Sequence, residues 1–315
     1  MLVVTGGAGF IGSNLVRALN RRGHDDVIVV DDLENGRKFA NLVGCEIADY
    51  WDRTEFLARL EKGTIEKPEA IFHQGACAVT TEWDGAYMMD VNYRYSVTLL
   101  DYCLARNVPL IYASSAAVYG ASTKFTENDR ALERPLNVYG WSKLLFDRYV
   151  QRHRKADSSQ VVGLRYFNVY GPGEAHKASM ASVAFHLDGQ VRKDGEARLF
   201  EGSAGYGNGE QRRDFVYVDD VVDVNLWFFE QRAVSGVFNV GTGASAPFND
   251  VARAILEWHG KGRIRYIPFP GDLESSYQSF TEADIAALRA AGYRKPFRDV
   301  AAGVKTYLDA LARVP

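Results

Sequence analysis

The chain has 315 residues, 47% of them hydrophobic and 24% charged, with a formal net charge of -3 at pH 7. That is enough chain for one large core or two unequal domains, and too little positive charge for a nucleic-acid or anionic-membrane binder. No apolar run approaches the ~18 residues that span a bilayer, Met1 leads straight into an apolar run, and Cys45, Cys77 and Cys103 are odd in number without metal-ligand spacing; a cytoplasmic protein with reduced thiols and no metal is expected.

The first 32 residues carry the strongest pattern. Leu2, Val3 and Val4 form a short apolar run, and Thr5 leads into Gly6-Gly7-Ala8-Gly9-Phe10-Ile11-Gly12. The chain then turns amphipathic through Leu15, Val16 and Leu19, and a second apolar run, Val27 to Val30, closes on Asp31-Asp32. Physically this is strand, glycine turn, helix, strand. Gly6 permits the tight turn, Gly9 lets backbone approach a pyrophosphate, and Gly12 lets the helix pack closely on the sheet. Phe10 and Ile11 open the helix, whose N-terminus suits phosphate. Asp31 lies 19 positions past Gly12, where an acid accepts from the adenosine ribose, with Asp32 beside it. Arg37 and Lys38 follow on a polar turn, with Arg53 further on. Cations there suit the 2′-phosphate of NADP, whereas Asp31 suits NAD. The balance favours NADP, with NAD tolerated; the alternative for the cations is a solvated surface.

Val43 to Ile47 reads as a third strand, followed by Asp49, in reach of an adenine amino group; Glu69 to His73 reads as a fourth. After it, Gln74-Gly75-Ala76-Cys77-Ala78 offers small residues against which a dinucleotide can lie. A long helical stretch, Tyr87 to Arg106, carries Asn92. Pro109 to Ala113 reads as a fifth strand, running into Ser114-Ser115-Ala116-Ala117-Val118-Tyr119-Gly120. A helix over 135–155 and a sixth strand, Val161 to Arg165, complete an alternation that predicts a doubly wound parallel sheet. Beyond Gly173 the pattern loosens: helices over 180–192, 219–231 and 249–259, a short strand over 198–201, a glycine-rich loop over 202–209, a proline-containing apolar segment over 267–270 and two terminal helices. The expected organisation is an α/β fold with a dinucleotide-binding domain over 1–173, parts of about 214–245 returning to it, and a smaller α/β substrate-binding cap over 174–315.

Tyr139 and Lys143 are four apart on a predicted helix, hence on one face. A free tyrosine has a pKa of about 10, too high for a base at neutral pH. A neighbouring ammonium stabilises the phenolate, and Lys143 is also placed to bind ribose hydroxyls. Ser115, at the carboxyl end of a strand, can hydrogen-bond the substrate oxygen that Tyr139 deprotonates.

These motifs, together with Arg165-Tyr-Phe-Asn-Val-Tyr-Gly-Pro172, resemble the extended short-chain dehydrogenase/reductase superfamily, and Arg213-Asp-Phe-Val-Tyr-Val-Asp-Asp220 extends the likeness. Thr81-Glu-Trp-Asp-Gly85, His176-Lys-Ala-Ser-Met-Ala-Ser-Val-Ala-Phe-His-Leu187, Leu199-Phe-Glu-Gly-Ser203 and Tyr266-Ile-Pro-Phe-Pro270 are similar to the bacterial ADP-L-glycero-D-manno-heptose 6-epimerase family over essentially the whole chain. The resemblance implies a Rossmann sheet, bound NADP, an ADP-heptose substrate of lipopolysaccharide inner-core synthesis, and a homo-oligomer, pentameric in the family. It implies oxidation at C6″ to a ketone and re-reduction on the opposite face, with Tyr139 as one proton-transfer group. Lys177 is then either the second base or a phosphate or cofactor contact. By the same carry-over Val169 joins the cofactor residues, while Asn168, Ser179, His186, Phe200, Glu201, Gly202, Ser203, Arg213 and Tyr277 line the sugar-nucleotide site. Arg213 is the best diphosphate contact, its alternative a surface ion pair; His186 is alternatively an interior histidine. The loop 204–211 is a candidate lid. A UDP-hexose 4-epimerase is the enzymatic alternative and a nucleotide-sensing protein the non-enzymatic one. A 4,6-dehydratase is disfavoured, because Ala116-Ala117 stands where that family carries an acid pair.

Overall fold

A computed structural model describes residues 1–127, 129–155, 158–269 and 278–313. In chain order the elements are β1 (Leu2–Thr5), α1 (Phe10–Arg21), β2 (Val27–Asp31), β3 (Asp49–Asp52), α2 (Arg53–Lys62), β4 (Ala70–His73), α3 (Gly85–Met88), a π-helical turn (Met89–Arg94) and α4 (Tyr95–Arg106). Next come β5 (Leu110–Ser115), α5 (Val138–His153), β6 (Val161–Tyr166), β7 (Asn168–Tyr170), α6 (Val183–Asp194), β8 (Glu196–Phe200), β9 (Arg212–Arg213) and β10 (Phe215–Tyr217). The chain closes with α7 (Val218–Glu230), β11 (Gly236–Val240), β12 (Ala246–Pro247), α8 (Phe248–His259), β13 (Arg263–Ile267), α9 (Ala286–Ala291) and α10 (Val300–Ala312). They divide into two compact units: Met1–Gly120 with Glu133–Tyr166 and Val222–Phe238, and Ala121–Leu132 with Phe167–Val221 and Asn239–Pro315. The second unit therefore takes over at Phe167, ahead of the Gly173 boundary read from sequence, and includes a segment, Ala121–Leu132, that the sequence reading assigned to the first.

The first unit is built on a seven-stranded sheet of order β11-β6-β5-β4-β1-β2-β3. All registers from β3 to β6 are parallel. Strands β1, β2, β4 and β6 are buried along their full length, as expected of a parallel sheet covered on both faces. The order reverses between β1 and β4, so the loops leaving Thr5 and His73 part at a switch point, where such sheets bind ligands. One sequence expectation fails here. The third strand is Asp49–Asp52, not 43–47, because Gly44 turns at φ +81° and Val43 is 68% exposed. An edge strand needs only one apolar inward residue, and Trp51 supplies it.

Among the described residues the second unit holds three two-stranded sheets, β7 with β10, β9 with β12 and β8 with β13. Short strands this small need packed helices for stability; α10 buries Val304, Tyr307 and Leu308, and α8 buries Val251 and Ile255. Between β9 and β10 sits Asp214, fully buried, whose carboxylate accepts from Thr242 N (2.7 Å), Thr242 Oγ1 (2.8 Å), Gly243 N (3.0 Å) and Ala283 N (3.0 Å). Burial pushes its pKa up, and these donors oppose the rise. Replacing Asp214 by Ala removes the shared acceptor of three main-chain N–H groups and one hydroxyl, of which Ala283 N is buried and the others part-buried, so thermal unfolding should show a loss of about 2 kcal/mol; an unchanged melting temperature would contradict this role.

Candidate functional site

The glycine turn is built as its spacing implies. Gly6 adopts φ +66°, and a Cβ there would meet Gly75 N at 2.5 Å. A Cβ on Gly12 would run into the Gly6 carbonyl oxygen. A Cβ on Gly9 would meet only Gly6 within 4 Å among the described residues, its carbonyl oxygen lying at 3.0 Å. Gly9 caps α1 without a side-chain bond, so the helix presents main-chain N–H groups at a positive dipole end. The tight packing of Gly6 on Gly75 brings the first and fourth strand ends together.

Asp31 does more than wait for a ribose. Its Oδ2 accepts from Ala8 N at 2.9 Å, and its Oδ1 accepts from Asp32 N (2.9 Å) and Lys38 Nζ (2.7 Å). Lys38 also donates to Asp32 Oδ1 at 2.7 Å, and Arg53 lies 3.9 Å from Asp32 Oδ2. Lys38 and Arg53 thus face carboxylates, while Arg37 is exposed. Both carboxylates raise the Lys38 pKa against its burial, which keeps it charged. Asp49, read as an adenine partner, accepts from Trp51 Nε1 at 2.6 Å.

Along the loop after β4, Gln74 bonds Tyr166 OH (3.0 Å) and Asn225 Oδ1 (3.2 Å). Asn92, on the π-helical turn, is 1% exposed and clamps the main chain of Cys77: its Oδ1 accepts from Cys77 N at 2.8 Å and its amide donates to Cys77 O at 2.9 Å. The same amide reaches Ser142 Oγ on α5 at 3.1 Å. Asn92 therefore acts on Gly75, Ala76, Cys77 and Ala78 by fixing their loop.

Helix α5 begins at Asn137, whose side chain accepts from Gly140 N at 2.8 Å. Tyr139 and Ser115 are hydrogen-bond partners, and Lys143 Nζ donates to Ala113 O at 2.9 Å. Burial brings Lys143 down to about 8, opposed by the carboxylate of Asp147 and by Cys77. Tyr139 goes the other way. Burial raises its pKa and Ser115 lowers it, while Lys143, expected from the four-residue spacing to depress it, spends its ammonium on a main-chain carbonyl. In the chain alone the phenol stays protonated. Gly6, Gly9, Phe10, Ile11, Gly12, Asp31, Asp32, Lys38, Arg53, Gln74, Gly75, Ala76, Cys77, Ala78, Asn92, Ser115, Tyr139 and Lys143 all belong to the first unit.

Val169 and the sugar-nucleotide candidates belong to the second. Asn168 Oδ1 accepts from Thr281 Oγ1 at 3.3 Å. Lys177 is half-buried in a 3₁₀ segment beside Ala178, a non-glycine residue at φ 48° and ψ -121°; burial lowers the Lys177 pKa, and buried Glu174 opposes this. Ser179 and His186 come together, His186 Nε2 lying 3.4 Å from Ser179 O. Phe200 ends β8, and Gln211 Nε2 donates to Glu201 O (3.0 Å) and Ser203 Oγ (3.1 Å). Arg213 is 8% exposed, with its guanidinium 5.6 Å over the Phe248 ring and one N–H donated to Arg212 O. It is a buried cation, not a surface one. The loop 204–211 is tied down rather than loose: Gly202 N donates to Asn208 Oδ1 (2.9 Å), Gly209 N to Phe200 O (3.0 Å) and Asn249 Nδ2 to Asn208 O (2.9 Å). Tyr277 lies outside the described residues.

The sequence reading passed over one cluster in the first unit. Arg165 and Asp147 are fully buried and paired at 2.9 Å, and Arg165 also pairs with Glu133 at 2.7 Å. Arg165 was visible only as part of a motif; no spacing rule joins it to Asp147 or Glu133.

Known proteins resemble the chain in sequence and fold. Residues 2–241 match the model of the NAD dependent epimerase/dehydratase family. The chain is 56% identical, over all of its length and 98% of the relative's, to an ADP-L-glycero-D-manno-heptose-6-epimerase of Alkalilimnicola ehrlichii. The crystal structure of the ADP-L-glycero-D-manno-heptose-6-epimerase of Helicobacter pylori superposes with a TM-score of 0.85 at 34% identity, covering 99% of this chain and 96% of that one. A UDP-glucose 4-epimerase of Thermus thermophilus in complex with NAD gives 0.78 at 27% identity, covering 100% and 99%. A strand–glycine turn–helix opening, a switch point in a parallel sheet, a Ser115–Tyr139–Lys143 set and these matches agree: the chain belongs to the NAD-dependent epimerase/dehydratase family.

Proposed function

We infer that the chain is a sugar-nucleotide epimerase that converts ADP-D-glycero-D-manno-heptose to ADP-L-glycero-D-manno-heptose by inversion at C6″. The observation that carries this reading is the full-length 56% identity with a heptose 6-epimerase. The Ser115–Tyr139–Lys143 geometry supplies its chemistry. Ala116 and Ala117, on a 3₁₀ turn directly after Ser115, offer no acid for elimination, which disfavours dehydration.

Inverting an unactivated secondary alcohol requires the carbon to become planar. The oxidised nicotinamide, when bound, supplies the hydride acceptor and a positive charge beside the phenol. Gly6, Gly9, Gly12 and the α1 N-terminus would hold its pyrophosphate, and Asp31 or Lys38 its adenosine ribose. Tyr139 takes the hydroxyl proton as the alcohol becomes a ketone, and Ser115 holds the reacting oxygen. Lys143, whose ammonium donates to Ala113 O in the chain alone, would bind the nicotinamide ribose hydroxyls. Inversion would present the substrate oxygen differently in its two half-reactions, so a second proton-transfer group would be needed. Lys177 fills that role in this proposal, since burial already brings its pKa towards the working range. Arg213 is assigned to the diphosphate, whose oxygens suit its fork. Asn168, Ser179, His186, Phe200, Glu201, Gly202 and Ser203 are assigned to the sugar nucleotide, as is Tyr277.

The cofactor of this proposal is NADP, with NAD accepted. Lys38 and Arg53 supply the positive charge that a 2′-phosphate requires, and Asp31 and Asp32 hold Lys38 in place. Assembly into a homo-oligomer, pentameric by resemblance, belongs to the same proposal, and light scattering showing a single 35.1 kDa chain would contradict it.

Three substitutions test the assignments. Tyr139→Phe should lower turnover by about 10³-fold while cofactor binding is retained; turnover at the parental rate removes Tyr139 from the mechanism. Lys177→Met should cut kcat steeply, whereas a rise in KM alone would assign Lys177 to substrate binding. Lys38→Met should weaken NADP⁺ binding by about tenfold more than NAD⁺ binding in calorimetric titrations; equal losses would refute the 2′-phosphate role.

A further inference from the structure

Three successive residues of β5 are gripped from α5 at successive turns of the helix. Tyr139 bonds Ser115, Lys143 donates to the Ala113 carbonyl, and Ser114 Oγ donates to Asp147 Oδ2 at 2.9 Å. Tyr139, Lys143 and Asp147 are spaced by four, so they share one helix face. We propose that Asp147 is a positioning residue for the epimerase reaction, holding Ser115 in register through Ser114 and holding the Lys143 ammonium charged through its own buried negative charge. The proposal rests on the reading of Ser115, Tyr139 and Lys143 as the catalytic set.

The surroundings of Asp147 fit this role better than that of a mere core ion pair. Its Oδ1 accepts from Tyr112 OH at 2.9 Å, and its Oδ2 accepts from Ser114 Oγ and from Arg165 Nε, both at 2.9 Å. Arg165 is shared onward with Glu133 Oε1 (2.7 Å) and Tyr119 OH (3.0 Å), and Glu133 Oε2 pairs with Arg148 at 3.2 Å. Asp147 and Arg165 are 0% exposed, and the Glu133 side chain 2%. A carboxylate that only neutralised Arg165 would not need to face the strand carrying Ser115. Here two of its donors, Tyr112 and Ser114, come from β5 itself.

Among the described residues, the charges facing Lys143 are few. On its own helix they are Tyr139 and Asp147. From β4 and the loop after it come His73 and Cys77. His73 is buried between Thr5 Oγ1 (2.6 Å) and Ser96 Oγ (2.8 Å), and its pKa falls to about 3, so it is neutral at working pH. From β5 Lys143 meets a carbonyl dipole, and Arg165 of β6 is spent on Asp147 and Glu133. Asp147 is thus the fixed negative charge that offsets the burial of Lys143. The sign follows: the ammonium is lost as pH rises through about 8, and removing the Asp147 charge moves that loss to lower pH.

The test is the pH profile of kcat/KM with the sugar-nucleotide substrate, on parent, Asp147→Asn, Asp147→Glu and Ser114→Ala holoenzymes, with Tyr139→Phe alongside. Asp147→Asn should shift the alkaline limb down by about one pH unit, and Asp147→Glu, which restores the charge, should return it. A folded Asp147→Asn enzyme with the parental limb overturns the proposal. Should Asp147→Asn fail to fold, Ser114→Ala decides: it removes the tether alone and should lower kcat by about tenfold with KM little changed, and a parental kcat overturns the proposal. An active Tyr139→Phe would instead strike the catalytic reading beneath it. An inactive Tyr139→Phe beside an unshifted Asp147→Asn strikes only the Asp147 assignment.

Discussion

The chemistry of the first unit depends on how helix α5 is held to strand β5. A tyrosine and a lysine one turn apart become a proton-transfer pair only if the helix is locked in rotation and height against the strand that carries the serine. Side-chain packing alone allows small slides of a helix; charged hydrogen bonds to fixed main-chain and hydroxyl groups do not. Lys143 to Ala113 O and Asp147 to Ser114 Oγ supply that lock. Burying Asp147, Arg165 and Glu133 without exposure is costly, and such clusters often add less stability than an apolar core of the same volume. Beside Ser115, Tyr139 and Lys143, the proposed reactive set, such a cluster gives a fixed geometry and a fixed field.

The same economy governs the dinucleotide end. Gly6 packed on Gly75 brings the loops of the first and fourth strands within van der Waals contact, and Asp31 fastens the glycine turn through Ala8 N. The turn is therefore held before any phosphate arrives. That preorganisation spares the ordering entropy that binding would otherwise cost.

Much of this was legible from residues in a row. The glycine turn, the acid at the end of β2 and the Tyr139–Lys143 spacing are local patterns, and local patterns survive folding. What failed depended on tertiary context. Gly44 breaks the apolar alternation that suggested a strand over 43–47, and the edge strand that forms instead is anchored by Trp51 between aspartates. The spacing of Tyr139 and Lys143 gave their shared face but not the direction of the ammonium, which is drawn to Ala113 O, nor the burial that raises the phenol. Asp147, Arg165 and Glu133 meet across 18 and 32 residues of sequence, a distance over which no periodicity speaks. Asn92 was marked by its place on a helix, yet its clamp on Cys77 needs the fold to bring the two together.

The proposed reaction is inversion at C6″ of an ADP-heptose, on a nicotinamide cofactor proposed to purify with the protein. NMR of the purified protein with ADP-D-glycero-D-manno-heptose and no added cofactor tests it most directly. Appearance of the L-glycero epimer is the predicted result. No conversion even with NADP⁺ supplied, together with epimerisation of a UDP-hexose at C4, would contradict the account and move the chain to the 4-epimerases.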